Sequence, residues 1–82
     1  MTVKEKTGRR RYVYFRSISP TDMKRLSGLI DGRIVYYRDI TALRVVHLSL
    51  PLLREKTREM GLEINMISGT LKALRRKILK IH

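Results

Sequence analysis

The stretch GLEINMISGTLKALRRKILK, residues 61–80, changes its apolar rhythm half-way along. Up to Ser68 the period is two. Ile64, Met66 and Ser68 alternate with Asn65 and Ile67, the pattern of a strand whose side chains point to opposite faces. Ser68-Gly69-Thr70 then makes a turn, and Leu71, Leu74, Ile78 and Ile81 recur at spacings of three and four. Lys72, Arg75, Arg76 and Lys77 fill the remaining positions, so the second half reads as an amphipathic basic helix. A strand that feeds an apolar-striped helix calls for a sheet with helices packed on it.

The upstream chain supplies the rest of that sheet. In RRYVYFRS, residues 10–17, Val13 and Phe15 alternate with Tyr12, Tyr14 and Arg16, which predicts a strand near 11–18. Val13 and Phe15 then face the core. Tyr12 and Tyr14 lie opposite, either as a base-stacking surface with cationic flanks or under a helix or partner chain. A second strand is expected near 33–38, in RIVYYRD, and a third near 62–67. Ser19-Pro20-Thr21-Asp22 is a helix start, with Ser19 as cap and Pro20 in the first turn, so a short helix near 20–27 is expected. Asp31-Gly32 is a rival hairpin turn over the same region.

Leu43, Val46, Leu50 and Leu53 fall on one helical face, and the reading is a long helix near 42–60 that stops at Gly61. Pro51 either kinks that helix or opens a new one after an extended segment. The last helix is placed near 70–80. Together these elements predict an α+β domain: a small, mainly antiparallel sheet packed against helices on one side as a two-layer sandwich. Residues 1–10 are read as a flexible basic arm and 11–82 as one domain.

Charge narrows the function. Lys and Arg number 19 against 7 Asp and Glu, a formal net charge of +12 on 82 residues. Such a field attracts polyanions, and each phosphate neutralised releases counterions. Nucleic-acid binding is the reading that follows, with an acidic protein or membrane surface behind it. The 43% hydrophobic content is enough for a core, though a thin one, and the apolar run at 42–53 predicts an exposed apolar patch that meets a protein partner. There is no cysteine, hence no disulfide and no thiolate metal site. No run is long and apolar enough for a membrane helix, and no secretory leader is evident. The expected location is cytoplasmic.

Catalytic chemistry finds little support. His47 sits in the apolar segment and reads as structural, His82 is terminal, and the carboxylates are scattered. Phosphate binding fares better. Ser68-Gly69-Thr70 opens a helix whose free N–H groups attract anions, with Lys72 in the first turn. Lys72, Arg76 and Lys80 are the best-aligned cationic stripe, at spacing four. The full set of candidate RNA-binding residues is Arg9, Arg10, Arg11, Arg16, Thr70, Lys72, Arg75, Arg76, Lys77 and Lys80, with no catalytic or metal-ligating residue assigned.

The run ISGTLKALRRKILK, residues 67–80, resembles the end of the small alpha/beta protein subunit of archaeal and eukaryotic ribonuclease P, which in archaea is protein component 2. KEKTGRRRYVYFRS resembles that family's start, a basic arm running into a strand, and the order of elements between them fits. Residues 19–32 leave room for only one short helix or a hairpin, so the chain resembles a shortened or divergent member. The resemblance implies an RNA-binding subunit that stabilises a catalytic RNA for removal of the 5′ leader from precursor tRNA. It implies ribonuclease P RNA, precursor tRNA and a barrel-shaped second protein subunit as partners. Mg²⁺ belongs to the partner RNA; no cofactor bound by the chain itself is implied, and self-association is left open. The alternative is a non-catalytic protein-interaction or general nucleic-acid-binding module with no tRNA-processing role.

Overall fold

A computed structural model describes residues 9–81, without the side chain of Ile81. Residues 1–8 of the basic arm, Lys4 and Lys6 among them, and His82 lie outside the described residues. In chain order the elements are β1 (Arg10–Tyr14), α1 (Pro20–Leu29), β2 (Arg33–Tyr37), β3 (Ile40–Val46), a 3₁₀ turn (His47–Ser49), α2 (Leu50–Glu59), β4 (Met66–Ser68) and α3 (Leu71–Ile81). The sheet runs β2-β3-β1-β4 and every neighbouring pair is antiparallel. Two β-α-β units interlock in it, β1-α1-β2 and β3-α2-β4, each leaving room for a strand of the other. This is the ferredoxin-like, split β-α-β arrangement, extended by α3.

Alternation along β1 and β3 divides the core in two. Val13, Phe15, Leu43 and Val45 meet Met23, Leu26 and Ile30 of the α1 region and Leu53 of α2. This is the α+β sandwich of sheet on helices that the patterning anticipated. The expectation of a single covered side needs correction. Ile40 and Ala42 point the other way and pack with Leu74 and Ile78 of α3, joined by Tyr12, Tyr14, Val35 and Tyr37. Tyr12 and Tyr14 are thus half-buried in the α3 layer.

The predicted long helix at 42–60 is the main misreading. Residues 40–46 are strand, and a helix follows only from Leu50, with Pro51 in its first turn. The alternative in which a new helix opens at Pro51 is the correct one. β3 sits inside the sheet with both faces covered, so Ala42, Leu43 and Val45 are all buried. A strand buried on both faces loses its polar alternation and cannot be told from a buried helix by period. The first strand is also shorter than predicted, because the chain bends at Arg16 and Ser17. The third contracts to Met66–Ser68. Leu62 and Ile64 precede it in extended chain and pack on the first core.

The turns explain the boundaries. Ser19 caps α1 by accepting the Asp22 N–H at 3.1 Å. Gly28 lies inside the helix. The helix instead ends with Asp31 at φ +55 and the Gly32 N–H bonded to the Ser27 carbonyl at 2.8 Å, a left-handed cap in which Asp31 stands where Gly is usual. Asp31-Gly32 therefore closes a helix and not a hairpin. A Cβ at Gly32 would come within 3.1 Å of the Arg44 carbonyl oxygen and 3.2 Å of Val45, a tight fit that favours Gly against β3. Gly61 ends α2 as expected, at φ +71, with the Leu62 N–H bonded to the Thr57 carbonyl at 2.8 Å. The hairpin lies at Arg38-Asp39, between the paired Tyr37 and Ile40.

Candidate nucleic-acid interface

The β2–β3 hairpin brings a residue absent from the candidate set to the centre of the cationic surface. Arg38 takes φ +53, a left-handed conformation that costs a non-glycine residue about 1 kcal/mol or more. That geometry places its guanidinium carbon 5.7 Å from the centre of the Tyr37 ring, within cation–π range. Arg38, Tyr37, Lys72, Arg75, Arg76 and Leu79 together line an open cavity of about 230 Å³. No carboxylate lines it. Arg38 beside the Tyr37 hydroxyl holds that phenol below the ordinary tyrosine range; burial opposes the shift, and the fields of Lys72 and Arg75 add to it. The shift reports a local positive potential.

One carboxylate stands at the margin. Asp39 accepts a hydrogen bond from Arg75 Nε at 2.8 Å. Arg75 holds the Asp39 carboxyl below the ordinary carboxylate range, so the pair is ionised at neutral pH. Arg75 is thereby neutralised, whereas Lys72, Arg76 and Arg38 have no carboxylate partner among the described residues. Asp39→Asn is expected to free Arg75 for an anion. The variant should bind structured RNA more tightly, by up to about eightfold at 0.1 M salt if one phosphate contact is gained, with a salt slope steeper by about one. Binding titrations at several salt concentrations check this.

The other predicted residues scatter. Lys80 is exposed and does not line the cavity, so of the stripe Lys72, Arg76 and Lys80 only the first two do. Lys77 donates from Nζ to the Ile67 carbonyl oxygen at 3.3 Å. Thr70 caps α3 by accepting the Ala73 N–H at 3.1 Å, and its O–H remains able to donate. Arg11 donates from Nε to His47 Nδ1 at 3.2 Å, and its guanidinium lies where a side chain on Gly69 would project. His47 is exposed, not enclosed in the apolar segment, and Arg11 is its side-chain partner. Arg9 and Arg10 are exposed on and beside β1. Arg16 lines a different and larger groove, about 620 Å³, shared with Ser19, Lys24 and the 76% exposed Tyr36 on the face of α1. That groove is roomier but holds fewer cations, and Asp39 borders it too.

Among the described residues no three His, Asp or Glu side chains gather closely enough to hold a metal ion, and no helix is long and apolar enough to cross a membrane. Arg38 was missed because a basic residue in a hairpin turn carries no periodic signal. Arg33 and Arg44 were missed with β3: read as part of a helix, residue 44 had no neighbour across a sheet. Comparison with protein-family models, with curated proteins and with solved structures finds no match to this chain.

Proposed function

We propose that this chain is a non-catalytic RNA-binding subunit of a ribonucleoprotein. It binds phosphates where Lys72 and Arg76 of α3 meet Arg38 of the β2–β3 turn. The observation that carries the reading is that these three cations share one open cavity free of carboxylates, on a chain of net charge +12. Like charges held together without a counter-charge repel one another, and a phosphate relieves that repulsion while releasing counterions. Tyr37 stiffens the site by lying beside Arg38.

The resemblance of residues 67–80 to the small ribonuclease P subunit supplies the particular assembly. In it the chain stabilises a catalytic RNA that removes the 5′ leader of precursor tRNA, and the Mg²⁺ chemistry stays with that RNA. Val46, Leu48 and Leu52, all exposed, offer a second protein subunit apolar surface to bury. The test has two stages. Titrating folded and unfolded RNAs should give salt-dependent binding that favours the folded one. Adding the chain to a ribonuclease P RNA should raise the rate of leader removal, with no cleavage by the chain alone. Equal, weak binding to every RNA, without stimulation, would instead support the general nucleic-acid-binding module. Cleavage by the chain alone would overturn the non-catalytic reading.

A further inference from the structure

The register of the sheet assembles a second cationic group that no single segment of sequence displays. Arg33 of β2 pairs directly with Arg44 of β3, and Arg44 pairs in turn with Tyr12 of β1. Arg10, two residues before Tyr12, projects to the same face. That face is the α3 side of the sheet, since Tyr12 packs there with Leu74 and Ile78. Arg10 and Arg33 are exposed and Arg44 is half-buried. None of the three has a carboxylate within 4.0 Å among the described residues. Two like charges directly opposite on antiparallel strands are destabilising, and no carboxylate among the described residues pairs with either.

The aromatic residues on the same face decide what ligand suits it. Tyr12, Tyr14 and Tyr37 point that way, but all three are half-buried in the α3 layer. The freely exposed ring, Tyr36, points to the opposite face, because it pairs with Thr41 one position out of phase with Tyr37. Single-stranded RNA is held largely by stacking unpaired bases on open aromatic rings. This face offers guanidinium and ammonium groups with no open ring between them. It therefore suits a ligand whose bases are already stacked and paired and whose phosphates face outward. The two cationic groups lie toward opposite ends of β2, Arg33 and Tyr37 being four residues or roughly 13 Å apart along the strand.

We infer that Arg10, Arg33 and Arg44 form a second phosphate-binding site, which works with the Lys72–Arg76 site to grip the backbone of double-helical RNA. The inference rests on the RNA-binding reading and narrows its ligand to a duplex. The test compares wild type, Arg33→Gln/Arg44→Gln and Lys72→Ala/Arg76→Ala. Each is titrated with an RNA duplex of about 16 base pairs, with one of its single strands, and with a DNA duplex of the same sequence.

Wild type should prefer the RNA duplex. The Arg33/Arg44 variant should lose about eightfold in duplex affinity per contact at 0.1 M salt, with a salt slope lower by about two. Its melting midpoint should be unchanged or raised, since the repulsion across the strands is gone. A folded Arg33/Arg44 variant with unaltered affinity and slope, beside a weakened Lys72/Arg76 variant, would overturn the second site and leave RNA binding standing. Tighter binding of the single strand, or equal binding of the DNA duplex, would overturn the duplex-RNA ligand. Displacement of the RNA by polyglutamate at equal charge would overturn it in favour of an acidic protein. Failure of wild type to bind any of the nucleic acids would sink both the inference and the function it rests on.

Discussion

If the proposed site binds RNA, Lys72→Ala/Arg76→Ala should lower the affinity for structured RNA roughly 60-fold at 0.1 M salt. The figure follows from two phosphate contacts, each worth about eightfold on the counterion-release slope. The same double variant flattens the plot of log affinity against log salt by about two. Both side chains are exposed, so the fold should lose no more than about 0.5 kcal/mol at each position. Lys80→Ala provides the internal control. It removes the same charge from the same helix but at a position outside the cavity, and its effect should be several-fold smaller. If Lys80→Ala matches Lys72→Ala, the helix acts as a diffuse charge and the cavity around Tyr37 has no special role. Titrations of the single variants at three or more salt concentrations separate these outcomes.

The second large effect is on stability. Leu43→Ala should cost about 2–5 kcal/mol, the range for emptying a buried leucine site. A chain of this length has roughly 4–12 kcal/mol in all, so the loss is a large share of the total. Leu43 is fully buried on the central strand, between β1 and β2. Val46, three residues on, is 40% exposed. Val46→Ala should therefore be mild, well under half the effect of Leu43→Ala. On a helix spanning 42–60 the two residues would share one buried face and both changes would hurt. Urea unfolding of the two variants thus tests the strand assignment of residues 40–46 as well as the core.

That contrast shows where the chain could be read and where it could not. α1, β2 and α3 announce themselves because each has a local device: Ser19-Pro20 at a helix start, the β-branched and aromatic run RIVYY, and a one-sided apolar stripe from Leu71 to Ile78. β3 has no such device, since Ile40, Ala42, Leu43 and Val45 serve two cores at once. Pro51 was the surviving clue, and its proper weight depended on knowing that the residues before it pair with a strand. The site follows the same rule. Lys72, Arg75 and Arg76 were visible as charges on a helix. Their company with Tyr37 and Arg38 depends on where α3 lies over the sheet, and the neutralisation of Arg75 depends on Asp39, 36 residues away in sequence. Those are facts of tertiary packing, and no spacing along the chain encodes them.

The placement of β1 between β3 and β4 carries a kinetic consequence. Tyr12 pairs across to Ser68 on β4, so the sheet closes only once residues 66–68 have been made. During synthesis the β2–β3 hairpin can form early, since its register is local. β1 can pair with β3, but its other edge stays open and Tyr14 lacks the cover of α3 until β4 and α3 emerge. Closing so long a loop is entropically slow, and chains dominated by such distant pairings fold late. A nascent chain halted before residue 66 would leave the second edge of β1 unpaired, beside Arg10 and Arg11.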